Sequence, residues 1–119
     1  MKKVKLNVSE RLYAIRLLNA FKGDHETLAF ILEDIKNIAI DEKDWKKADR
    51  KINVEQGEDG KPITSWVWDD IKGGDKEIDL NDKVVEYIIN DIETKNKAGE
   101  FTLQDKAVIS LNKKLKEAK

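Results

Sequence analysis

Among side chains able to carry chemistry, this chain of 119 residues has one imidazole, His25, and no thiol. Zero Cys removes disulfides, thiolate metal sites, iron–sulfur clusters and cysteine nucleophiles, and one His removes any site that needs two imidazoles. His25 stands between Asp24 and Glu26. A general base there needs a nucleophile and a pocket, and no Ser or Thr context supplies one, so His25 reads as a surface residue of a first helical turn. Carboxylates number 24, so adjacent acids such as Glu33/Asp34 and Asp69/Asp70 are expected by chance rather than as acid–base pairs. Asp75, Glu77, Asp79, Asn81 and Glu86 follow the ligand spacing of a calcium loop. Leu80, however, stands where the sharp turn needs Gly, and Asp82 where an apolar residue belongs. No phosphate loop, dinucleotide fingerprint or hydrolase elbow occurs. The expectation is a non-enzymatic chain with no catalytic residue, no metal site and no cofactor.

Binding is the remaining chemistry, and two clusters bear on it. Trp66 and Trp68 lie in a β-prone run, Ile63-Thr64-Ser65-Trp66-Val67-Trp68, where strand alternation puts both indoles on one face and Ile63 and Val67 on the other. Either the indoles are core, or they form an aromatic contact with a protein partner, flanked by Asp69 and Asp70. The second cluster, Lys46, Lys47, Arg50 and Lys51, with Lys113, Lys114, Lys116 and Lys119 at the end of the chain, is the material for a weak nucleic-acid contact. Only 3 of the 23 basic residues are Arg, and base reading favours Arg, so nucleic acid is the lesser alternative.

These residues need elements to hold them. Val4, Leu6 and Val8 alternate with polar neighbours, which suits a short strand or extended arm over 3–8. Ser9 reads as a helix N-cap, with Val8 and Tyr13 as a hydrophobic staple. Leu12, Ile15 and Leu18, or Ala14 and Leu17, then recur at helical spacing up to Gly23. Asp24 caps a second helix whose apolar stripe is Leu28, Ile31, Leu32, Ile35 and Ile38, with Asp34 on the polar side. Asp41–Asp44 reads as a turn or a single helical turn. A β-hairpin follows over 50–56 and 62–68, turning at Gly57–Pro62, and 76–80 forms a possible third strand. Asn81 or Asp82 opens a third long helix that stops at Gly99. Thr102–Asp105 approximates a capping box for a last helix, running from about Leu103 with Ala107, Val108, Leu111 and Leu115 on one stripe.

The fold class expected is mostly helical α+β: two αα-hairpins flanking a central β-hairpin, in one domain over 1–119. Its parts are a first helix pair (1–40), the hairpin with its acidic loop (46–80) and a second helix pair (81–119). Residues 1–22 carry six basic groups and one acid, and 94–119 seven bases and three acids. Residues 23–45 and 69–93 are acidic, with seven acids to two bases and nine acids to three. Basic ends and acidic middle attract if they meet in space, within one chain or between copies, so an oligomeric assembly component is a further alternative. The longest apolar run, Leu28–Leu32, is too short to span a membrane, and MKKVKLNVSE lacks the apolar stretch of a signal peptide, so a cytoplasmic protein is expected.

Leu6–Leu12 (L-x-V-S-E-R-L), Gly23-Asp24, Trp66/Trp68, Lys76–Lys83 and Phe101–Val108 together carry a resemblance. The chain resembles small proteins of phages and prophages of low-GC Gram-positive bacteria. No catalytic residues are established for that group, so none carry over. The resemblance implies a phage accessory protein acting in a bacterial host cell on a host or phage protein, for instance as a regulatory or anti-defence inhibitor.

Overall fold

The structure, a computed structural model, describes residues 1–118, with the backbone alone at Gln104; Lys119, counted above among the C-terminal lysines, lies outside the described residues. Strand β1 (Lys2–Leu6) leads into helix α1 (Val8–Asn19). The cap between them is Asn7, not Ser9: Asn7 Oδ1 accepts the Glu10 N–H at 2.8 Å, and Glu10 Oε1 accepts the Asn7 N–H at 2.9 Å. The physical reason is reciprocity. From Asn7 the third helical position is Glu10, which answers back, whereas from Ser9 it is Leu12, which cannot. The Val8–Tyr13 staple lapses with the Ser9 cap, and the buried face of α1 runs through Ala14, Leu17 and Leu18.

Helix α2 (His25–Ile38) starts at Asp24, as expected, with Asp24 Oδ1 accepting the Thr27 N–H at 2.8 Å. Its inner face is narrower than the sequence suggests. Ile31 and Ile38 are buried, but Leu28 and Leu32 are exposed, and Asp34 turns inward at 1% exposure. An acceptor is needed there, because the Asn81 N–H arrives at the α2 face and bonds Asp34 Oδ2 at 2.8 Å. α2 ends without a glycine. Instead the buried guanidinium of Arg11 takes the last carbonyls, Nε to Ile38 O at 2.9 Å and Nη2 to Ala39 O, while Nη2 also meets Asp44 Oδ2 at 3.0 Å. Thus α1 fastens the end of α2 to the start of α3 (Glu42–Lys47).

β1 pairs antiparallel with β4 (Lys76–Leu80), Val4 opposite Ile78. This ribbon closes one side of a four-helix arrangement of α1, α2, α5 (Asp82–Ala98) and α6 (Ala107–Glu117). Strand 76–80 therefore joins the N-terminal strand, and the calcium spacing of 75–86 is spent on a strand and a helix cap. Gly99, left-handed at φ 68, ends α5. The last helix begins four residues later than expected. Asp105 reaches back to the Thr102 N–H at 3.0 Å and closes a separate 3-10 turn over Leu103–Asp105 before α6 starts. The basic ends do meet the acidic 69–93 segment: the N-terminus lies 3.3 Å from Asp82, Lys114 lies 3.5 Å from Asp75, and Lys116 pairs with Glu93.

The β-hairpin of β2 (Lys51–Gln56) and β3 (Pro62–Val67) is central in sequence only. The helix pairs pack on each other and on the β1–β4 ribbon, and no hairpin residue is buried. The molecule measures 47 × 34 × 26 Å, with a radius of gyration of 15.6 Å. A chain of this length packed as one globule would give about 13.5 Å, and the projecting hairpin accounts for the excess.

Candidate protein-binding surface

The arm's direction is set where α3 ends. Asp49 takes φ 56, the Asp49 N–H bonds Lys46 O at 3.1 Å and the Arg50 N–H bonds Trp45 O at 3.2 Å. This is a Schellman closure with Asp in the position usually given to Gly. It brings Arg50 back over Trp45, the contact such a closure favours, with the guanidinium carbon 4.7 Å from the indole centroid. The hairpin register puts Ile52 opposite Trp66. Arg50 is two residues before Ile52 and so shares its face, where it also lies 4.5 Å from the Trp66 ring. The guanidinium therefore lies over two indoles.

Trp68 ties the arm's base to the body. Its indole packs edge-on against Trp45, centroids 5.4 Å apart. Its N–H donates to Ser9 Oγ at 3.0 Å and Asp70 Oδ1 at 3.2 Å. Asp70 also accepts the Ser9 hydroxyl at 2.6 Å and the Ser9 N–H at 3.0 Å. Beside them α4 (Asp70–Gly73) is capped by Asp69, whose N–H bonds Ala48 O at 2.7 Å. Gly73 packs so closely on Ala48 that an added Cβ would lie 3.0 Å from the alanine methyl.

Of the four residues predicted to contact a partner, only Trp66 is presented outward, at 51% exposure. Trp68, Asp69 and Asp70 are half-buried, and their polar groups bond within the fold, where they fasten the arm's base to the body. Sequence reasoning missed their companions on the open face. Ile52 (56% exposed) and Val54 (61%) share that face with Trp66, Thr64 and Pro62. Their period of two was visible, but nothing in the sequence says that the body leaves both faces of the hairpin uncovered. Ile63 and Val67, also exposed, lie on the opposite face, where Lys51, Asn53 and Glu55 surround them with polar groups.

The basic cluster is divided. Arg50 is stacked, and Lys51 shares Asp49 with Lys72 at 3.2 and 3.3 Å. Hydrogen bonds from Lys51 and Lys72 hold the Asp49 carboxyl below its usual range. Lys46 and Lys47 remain exposed on α3, next to Glu42 and Asp44. His25 is exposed at the start of α2. Among the described residues, no three of His, Cys, Asp and Glu converge as metal ligands, and no helix is long and apolar enough to cross a membrane. Comparison with protein-family models, curated proteins and solved structures gives no match.

Proposed function

We propose that this chain is a non-enzymatic binding protein that engages another protein through the projecting hairpin, with Ile52, Val54 and Trp66 as the contact. The observation that carries this reading is a strand pair that buries no apolar side chain and exposes three on one face, Ile52, Val54 and Trp66, beside two, Ile63 and Val67, set among polar residues on the other. Folding gains little from placing the first three there, since water keeps more than half of each. Trp and Arg are the residue types enriched at the energetic centre of interfaces, and Trp66 and Arg50 stand together here. The phage resemblance supplies a setting in which the partner is a host or phage protein and the chain a regulatory or anti-defence inhibitor.

The test is site-specific photo-cross-linking in cells of a low-GC Gram-positive host, with the probe residue at position 54 on the open face and at 53 or 65 on the other. The expected result is one discrete product from 54, lost on Trp66→Ala and absent from 53 and 65. Equal labelling from both faces, or none from 54, overturns the reading. A product of twice the chain's mass would make the surface a self-association face instead.

A further inference from the structure

We infer that the protein segment bound on the open hairpin face presents an Asp or Glu carboxylate beside its apolar side chains, and that Arg50 receives it. This rests on the binding role proposed above and deepens it. Arg50 is the one charged side chain on that face; Ile52, Val54, Gln56, Pro62, Thr64 and Trp66 are uncharged. Its guanidinium carbon lies over both indoles, 4.7 Å from the Trp45 centroid and 4.5 Å from the Trp66 centroid, which orders the group, and its N–H donors lie at the edges of the guanidinium plane. Those edges make no side-chain hydrogen bond among the described residues; their nearest acid is Glu42 at 3.9 Å, itself 82% exposed. An arginine already ordered, beside apolar surface, has its donors set in the fork that matches a carboxylate.

Other occupants fit less well. A second copy packed face to face brings no acid to Arg50, since the face has none. A nucleic acid needs a row of free cations. Here Lys51 is paired with Asp49, and the helix bearing Lys46 and Lys47 also bears Glu42 and Asp44.

The test is selection of random twelve-residue peptides against the full chain, with Val54→Lys as the face control and circular dichroism as the folding control. The expected result is a set of peptides sensitive to Val54→Lys that share an acidic residue next to apolar ones. Changing that acid to its amide should weaken binding about tenfold, close to 1.4 kcal/mol. Arg50→Gln should weaken it equally, and the two losses should not add. Arg50→Glu should recover binding to the peptide whose acid is changed to Lys, which separates charge recognition from a loosened hairpin. Peptides that need Val54 but show no acid preference and ignore Arg50→Gln would overturn the carboxylate and leave the binding role standing. Selection that yields nothing sensitive to Val54→Lys would overturn both. An oligothymidylate that competes for the face and depends on Arg50 would assign the fork to phosphate, and a Val54-dependent dimer in light scattering would assign the face to a second copy.

Discussion

Replacing Arg11 with Met should cost this protein about 3 kcal/mol. The side chain is 2% exposed and its guanidinium serves three acceptors: the carbonyls of Ile38 and Ala39 at the end of α2 and the carboxylate of Asp44 at the start of α3. Met keeps the stem and removes every donor. Two carbonyls lose their partner at about 1 kcal/mol or more each, and the half-buried ion pair with Asp44 adds about another. For a domain of this length, unfolding entropy near 250 cal/mol/K converts about 3 kcal/mol into roughly 12 °C of midpoint. The loss should also depend on pH. Burial pushes the Asp44 carboxyl up, but the hydrogen bond from Arg11, with that from the Asp41 N–H, outweighs it and leaves the carboxyl below its ordinary 3.8. A group depressed on folding stabilises fully above its unfolded value and loses that contribution as pH falls through its folded one. Thermal unfolding followed by circular dichroism at pH 7 and pH 3 should therefore show the gap between native and Met proteins narrow by about 1 kcal/mol on acidification. A gap under about 4 °C at pH 7 would refute the clamp, and one of equal size at both pH values would remove Asp44 from it.

Three further outcomes are expected. Burial pushes the Asp34 carboxyl above its ordinary 3.8, so its charge is a cost that grows as pH rises through the folded value. Asp34→Asn, which keeps an acceptor for the Asn81 N–H, should gain about 1 kcal/mol in urea titrations at pH 7 and nothing below about pH 4; a loss at pH 7 would refute this. Acrylamide should quench a distinct, accessible part of the tryptophan emission, and Trp66→Phe should abolish it; quenching unchanged in that variant would mean the indole is covered in solution. Gly60 sits at φ 78 in the hairpin turn with nothing within 4 Å of an added Cβ. Gly60→Ala should therefore act through the backbone alone, speeding hydrogen exchange at the turn amides by about fivefold, near 1 kcal/mol, without moving the midpoint of the helical body; an equal fall throughout would show the arm and body unfold together.

Periodicity and turn chemistry made the helices, the hairpin and its loop legible, because those signals are local. The Asp24 cap and the Gly99 stop needed only a few residues of context. Three features were hidden because each is fixed by a partner distant in sequence. Asp34 reads as outward on its helix and is drawn inward by the Asn81 N–H. Leu28 and Leu32 complete a stripe by spacing, yet the neighbouring elements reach only the Ile31–Ile38 side. β4 finds β1, across more than sixty residues, rather than the adjacent hairpin. At the candidate site Trp66 was legible as an aromatic on a strand. Arg50 was legible only as one of a basic cluster, because its stacking depends on the left-handed Asp49, a conformation Asp adopts too seldom to be assumed.

That single backbone angle separates two sets of requirements. The arm joins the body through Trp45, Asp49, Arg50, Trp68 and the Ser9–Asp70 fastening, all lying before or after the two strands. Within 51–67, Lys51 reaches back to Asp49 and Trp66 to Arg50. The other strand positions are held by their cross-strand partners and answer to whatever they touch outside. Under the proposed binding role, changes there would alter what the arm recognises without disturbing the helical core, so recognition and folding would be selected through different residues of one short chain.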